Sequence, residues 1–400
     1  MAVRAVKFGR MGFASGTDTS LSGINDLFCR ARDAAEALAT DRARKLPRPA
    51  EPRPFPHPAL SQGERENPAS ISPKLIIQRL KDLERRALAG DRRLKKALHL
   101  SFHETSGVHA IVNSEGVAAA EPWSAVSFSV ELLGASGNET ETCWGSDEKR
   151  RWSDLNPEAV VDDARERLLT SFGARPLRSG KWPVILTPRV GVEFLDLVSQ
   201  AVMGDAVHNG RSYLSNQMGK KVAASGVTLV DDGTLPGGMA TGRWDDEGVP
   251  RQRTVVVNRG TLGGFLHDTT SAGRAKVSST GNASRPGRDA PPSPGTTNFY
   301  LAAGAPPRET LYQSTPRAFV VRDVIGMHTA DPVSGDFSVG ASGILWGRGK
   351  PVRAVRGVTL SGNLAGLLSN VDAVANDLTW QGSFGAPTFR VKALSVGGSR

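Results

Sequence analysis

The sequence predicts an α+β protein, with an N-terminal α+β domain followed by a β-rich C-terminal domain. Three observations carry that expectation. Apolar residues recur at helical spacing in several segments of the first half. Between residues 126 and 132 they alternate strictly, as in a half-buried antiparallel strand. After Lys221, glycine-rich turns punctuate short apolar runs. Helices set apart from antiparallel strands are the mark of the α+β class.

In chain order, Val3 to Ala14 alternates around Gly9 and Arg10 and reads as a hairpin. Ser20 can cap a helix whose stripe is Leu21, Ile24, Leu27, Ala31, Ala34 and Leu38. Residues 45–70 hold seven prolines and no apolar period, so they read as a linker or extended loop. A helix is expected from Ser72 as N-cap and Pro73 at its first position to Gly90. Strands follow to about Trp144, with Val126, Phe128, Val130 and Leu132 on one face. A further helix runs from Pro157 to Phe172 and stops at Gly173. Next come a buried strand from Trp182 to Leu186 and a helix from Pro188 to about Met203. Two strands, Arg253 to Val257 and Thr261 to Leu266, flank the short turn Asn258-Arg259-Gly260. This predicts a partial N-terminal α+β domain over 1–44, a linker over 45–72, the rest of that domain over 73–178, and a β-rich domain over 179–400.

The chain of 400 residues carries a net charge of +10, and residues 1–96 account for nearly all of it, with 20 basic against 11 acidic side chains. Those charges sit in a proline-rich stretch or on one helix rather than among aromatic residues, so a solvated surface is the expected reading and nucleic acid is not the expected partner. No apolar run approaches the ~18 residues of a membrane helix. No apolar stretch follows the basic start, so no signal peptide is read there. Two cysteines, Cys29 and Cys143, exclude a disulfide framework and point to the cytoplasm.

One motif in the sequence suggests metal chemistry. His103-Glu104 and His109 resemble a zinc helix, but six residues between histidines is about 600° of helical rotation, which parts the two rings. His57, His99, His208, His267 and His328 stand at no recognised ligand spacing. The run Leu235 to Met239 lacks a phosphate loop's lysine, and Gly340 to Gly343 is not a nucleophile elbow. No catalytic residue is read from these patterns.

The second half nevertheless resembles a known family. Its marks are Asp231-Asp-Gly-Thr-Leu-Pro-Gly-Gly238, the run Asp245 to Thr254, Gly264 to Asp268, Ser279-Thr-Gly-Asn282 and Thr297 to Leu301. The longest is Gly326-Met-His-Thr-Ala-Asp-Pro-Val-Ser-Gly-Asp-Phe-Ser-Val-Gly-Ala-Ser-Gly343. Together they are similar to the TldD/TldE (PmbA) peptidases, and to the TldE branch in particular, from about residue 75 to 396.

The resemblance implies a cytoplasmic metallopeptidase of two kinds of chain, acting in proteolysis or maturation of peptides and unfolded proteins. Its TldD-like partner would carry zinc on an H-E-x-x-x-H helix with a later cysteine. Placed on this chain, that helix falls after Pro188: the histidine positions are Leu195 and Gln200, the glutamate position is Asp196. The cysteine loop corresponds to Gly382 to Pro387. Leucine cannot ligate zinc and an amide is a poor donor. No metal and no cofactor are therefore expected here, and zinc is expected in the partner. His328, Asp336, Phe337, Asn298 and Ser383 are expected to face substrate or partner. The favoured function is the non-catalytic subunit of a TldD-type zinc peptidase, in a heterodimer that admits extended peptide. The alternatives are a homodimeric peptide- or protein-binding scaffold and a nucleic-acid-associated, gyrase-linked regulator.

Overall fold

The computed structural model describes residues 1–50 and 72–399. Most of the proline-rich linker expected over 45–72 lies outside the described residues. The chain opens with the hairpin β1 (Ala2–Lys7) and β2 (Arg10–Ser15), covered by α1 (Leu21–Glu36). Ser20 caps α1 as its sequence suggests, accepting from the Gly23 amide at 3.1 Å. Val3, Ala14, Leu27 and Ala31 make a small core between hairpin and helix.

The next layer pairs two helices with one sheet. Helix α2 (Pro73–Leu88) precedes β3 (Leu94–Val112), β4 (Ala118–Ser136) and β5 (Glu139–Lys149), and α3 (Pro157–Ser171) closes the unit. The sheet order is β3-β4-β5, antiparallel throughout, with Val130 opposite Leu100 on one side and Gly145 on the other. Val126, Phe128, Val130 and Leu132 of β4 are buried beneath Leu83 and Ala87 of α2 and Val161, Ala164 and Leu168 of α3. Ser72 precedes α2, but its side chain makes no capping bond; Pro73 supplies the start, since its fixed φ suits the first helical position and its missing N–H would have gone unpaired.

The remainder holds two six-stranded sheets. Its elements are β6 (Gly180–Leu186), α4 (Pro188–Ala201), α5 (Gly204–His208), β7 (Leu229–Asp232), β8 (Arg253–Asn258), β9 (Thr261–Leu262) and α6 (Thr269–Ala275). Then come β10 (Ala283–Ser284), β11 (Ser293–Pro294), β12 (Phe299–Leu301), α7 (Arg308–Gln313), β13 (Arg317–Ile325), β14 (Asp336–Gly347) and β15 (Lys350–Asn363). The chain ends with α8 (Leu364–Ser369), β16 (Val371–Val374), β17 (Thr379–Gln381), β18 (Phe384–Ala386) and β19 (Phe389–Gly397).

One sheet runs β17-β18-β12-β7-β8-β9. The other runs β15-β14-β13-β6-β19, and β15 also pairs with β19, with Leu360 opposite Val396, so the strands close into a barrel that carries β16 on β19. Closure leaves no open edge around the ring. Within the ring, Gly343 lets β13 and β14 approach at a bulge: a Cβ there would stand 2.0 Å from the Val320 carbonyl. Strand β9 is only two residues long, not six as its apolar run suggested, because Gly263 and Gly264 follow at once.

Candidate functional site

Helix α4 lies between the two large sheets, touching β12, β17 and β18 of one and β6 and β13 of the other. Val190, Phe194, Leu195, Leu197, Val198 and Ala201 are buried on it, and Phe194 meets Phe337 of β14 edge-to-face at 5.1 Å. Gly191 lets β18 come close, since a Cβ there would stand 2.8 Å from that of Ala386. The two stretches that the family resemblance equates with zinc-bearing ones are thus neighbours in space. What fills their junction is apolar: Leu195, Ala386 and Phe389 belong to one core, none more than 2% exposed. These side chains offer no donor atom, so they do not fit a zinc ion. On the outer face stand Glu193, Asp196 and Gln200. Loss of solvent raises the carboxyl pKa of Glu193 and of Asp196 above the ordinary range. Among the described residues, no three of His, Cys, Asp and Glu are grouped so as to hold a metal.

Beside α4 a groove separates the central sheet from the loops of the C-terminal region. Its first half, about 530 Å³, lies between Ser146 to Lys149 of β5 and the loops Leu235 to Met239 and Leu378 to Gly382, with Arg189 of α4 in its wall. Its second half, about 640 Å³, lies between Glu121 to Trp123 of β4 and the loops that carry Asp246, Asn282 and Arg285. Met239 lines both halves.

The loops along this groove are held from beneath by buried polar groups. Asn298 donates to the Asp232 carbonyl at 2.7 Å and to Thr241 Oγ1 at 2.9 Å, and accepts from the Ala240 amide at 3.0 Å. Asp231 accepts from Thr297 N, Thr297 Oγ1 and Asn282 Nδ2, each at 2.7 Å. Asp245 accepts from the amides of Glu247, Val249 and Ala283 at 2.8–3.0 Å. Glu247 pairs with Arg4 of β1 and accepts from the Thr269 amide at 2.7 Å, which ties the N-terminal hairpin to this region. Burial raises Asp231, and burial together with the neighbouring Glu247 pushes Asp245 to about 7.

Two of the residues expected to face substrate or partner are interior. Phe337 is 4% exposed and packs on α4, and Asn298 is fully buried beneath the Gly238–Thr241 loop. The alternation of exposed Asp336 and Ser338 with buried Phe337 and Val339 is the period-two signal that identifies Phe337 as core. His328 sits exposed in a 3-10 turn, Met327–Thr329, and Asp336 is exposed and accepts from Asn363 Nδ2 at 2.8 Å. Neither lines either half of the groove. Ser383 lies half-buried between β17 and β18, next to groove residue Gly382, and its carbonyl accepts from the Phe299 amide.

His103 and His109 lie on β3, a strand and not a helix. Six residues apart on a strand they share a face, but a rise of ~3.3 Å per residue separates them by about 20 Å. His109 instead approaches Asp246 at 3.7 Å. The polar floor of the groove was missed by sequence reasoning because aspartates among glycines read as turn formers; only their recurrence in the family-like runs marked them.

Comparison with known proteins agrees with this architecture. Residues 179–398 match the PmbA/TldA metallopeptidase C-terminal domain, and residues 66–172 match the PmbA/TldA metallopeptidase central domain. The chain is 26% identical to the metalloprotease PmbA of Escherichia coli O157:H7 over 390 residues, 97% of this chain and 83% of that one. It is 28% identical over 324 residues to a metalloprotease TldD homolog of Buchnera aphidicola, 72% of this chain and 65% of that one. Its fold is similar to that of TldE from Thermococcus kodakarensis, with a TM-score of 0.88 at 22% identity, covering 99% of this chain and 89% of the other. The chain belongs to the PmbA/TldD metallopeptidase family.

Proposed function

We propose that this chain is a TldE-like, non-catalytic subunit of a TldD-type zinc metallopeptidase and that it works in the cytoplasm. In this reading a TldD-like partner holds the zinc, and the groove beside α4 helps admit an extended peptide. The observation that carries the reading is the inner face of α4, where Leu195 is packed against β18 and Gln200 stands on the opposite, exposed side. A helix built this way contributes to a core and leaves no pair of imidazoles facing a common point. The adjacent groove supports a binding role, since open strands and loops can pair with a peptide backbone without reading its sequence.

The test is to purify the chain alone and with a TldD-like zinc subunit, then measure zinc per chain and the mass of the species formed. The reading expects a mixed complex whose zinc equals its content of the TldD-like subunit. Tightly bound zinc in the isolated chain would contradict it. A stable homodimer that ignores the zinc subunit would favour a peptide-binding scaffold instead.

A further inference from the structure

The second half of the groove differs from the first in charge and in one unpaired atom. Four guanidinium groups line it, those of Arg150, Arg251, Arg285 and Arg288. Two carboxylates share the lining: Glu121 accepts from the Arg243 amide at 3.0 Å, and Asp246 accepts from the Arg285 amide at 2.7 Å and approaches His109 at 3.7 Å, so arginines outnumber carboxylates four to two. Arg150 donates to the Thr241 carbonyl and Arg251 to the Trp244 carbonyl, both at 2.8 Å; both acceptors are neutral, although the Arg251 charge also acts on buried Asp231. Arg288 is exposed; its carbonyl accepts from Arg285 Nη2 at 2.6 Å, while its side chain makes no hydrogen bond or ion pair among the described residues.

The lining also includes Asn282, which is 2% exposed. Its Nδ2 donates to Asp231 Oδ2 at 2.7 Å and to the Gly295 carbonyl at 2.9 Å, which fixes the orientation of the amide. Its Oδ1 is buried and has no partner among the described residues. A buried carbonyl without a donor is costly, so an unpaired one beside a cleft marks a place for an N–H. Trp123, across the cleft, lies over Gly107 of the neighbouring strand and presents part of its ring to the opening.

We infer that this half of the groove binds acidic segments of an extended peptide, with carboxylates drawn to the arginines and a main-chain N–H reaching Asn282 Oδ1. The inference rests on the groove being a peptide site and adds a charge preference to it. A nucleic acid would satisfy the arginines, but its phosphate backbone has no N–H for Asn282, and one indole is a meagre stacking platform.

The experiment measures anisotropy of a fluorescein-labelled peptide alternating glutamate with serine, beside its lysine and glutamine counterparts, on the full chain and on Arg288→Glu. The glutamate peptide is expected to bind most tightly, to weaken as salt is raised, and to lose about five- to tenfold in affinity on Arg288→Glu. Arg288 is exposed, so the variant should fold; circular dichroism checks this. Equal binding of all three peptides, or unchanged affinity in Arg288→Glu, would overturn the charge preference while leaving a peptide groove in place. Binding of none would overturn the groove reading itself. Displacement of the glutamate peptide by a single-stranded oligonucleotide at equal concentration would overturn the assignment to peptide.

Discussion

The acidic residues of the C-terminal region work in two different settings. Beneath the groove, Asp231, Asp245 and Glu247 are at most 1% exposed, and backbone amides are prominent among their donors. At the junction with the central sheet, Asp323 is about a third exposed and meets Arg189 at 3.0 Å and Arg167 at 3.5 Å. Nearby, Arg322 pairs with Glu166 at 2.8 Å and Arg356 with Glu141. The first set fixes loops whose backbone has no regular ladder to bond to. The second joins two layers through pairs in which at least one side chain is still reached by water, Arg167 being buried at 8% exposure. The same carboxylate is therefore a structural anchor in one place and an adjustable contact in the other.

The largest expected effect tests the first setting. Asp231→Ala would strand three donors in a dry interior and should cost ~3–5 kcal/mol. Urea unfolding measures it, and a loss below ~1 kcal/mol would show that these loops hold their shape without the carboxylate.

Next comes the pH dependence of Asp245. Its carboxyl is raised to about 7 in the folded chain, whereas in the unfolded chain it ionises near 3.8. Between those values the folded state holds a proton that the unfolded state has released, so stability contributed through this group falls as pH rises from about 4 to about 7, by on the order of 2–4 kcal/mol. Asp245→Asn should flatten the slope of unfolding free energy against pH over that window, whatever it does to the absolute value. An unchanged slope would mean that the three amide bonds outweigh burial.

A smaller effect is expected at the junction. Asp323→Ala should cost about 1 kcal/mol, because Asp323 and Arg189 are partly exposed and buried Arg167 keeps Asp163 and the Trp144 carbonyl, and the difference from wild type should shrink in high salt. A loss as large as that of Asp231→Ala would erase the distinction between the two settings. Smallest of all, His103→Ala on the exposed part of β3 should stay within about 0.5 kcal/mol of wild type.

The same contrast explains what the sequence could and could not reveal. Helix α1 and the buried face of β4 were legible because each repeats its apolar residues at the period of its own geometry, and α2, α3 and α4 because a proline opens each of them. Closure of the barrel was not, since β6 pairs with β19 across some two hundred residues and nothing local announces the partner. Nor was the polar floor: Asp231 looks like a turn former but is satisfied wholly from Asn282 and Thr297, and Asp245 does hold its own turn through Glu247 and Val249 while also binding the distant Ala283 amide. Asn298, expected from its place in a family-like run to face substrate or partner, is interior, because its partners are the backbone and Thr241 side chain of the neighbouring loops. On α4, residue types alone indicated that Leu195 offers no ligand, but its packing with β18 needed the fold.

The most direct test of the central claim is peptide hydrolysis by a TldD-like zinc subunit titrated with this chain. The account predicts no hydrolysis by this chain alone, a rise in activity as it is added, and a plateau once the zinc subunit is fully paired. Hydrolysis by this chain alone, abolished by a chelator and restored by zinc, would contradict it.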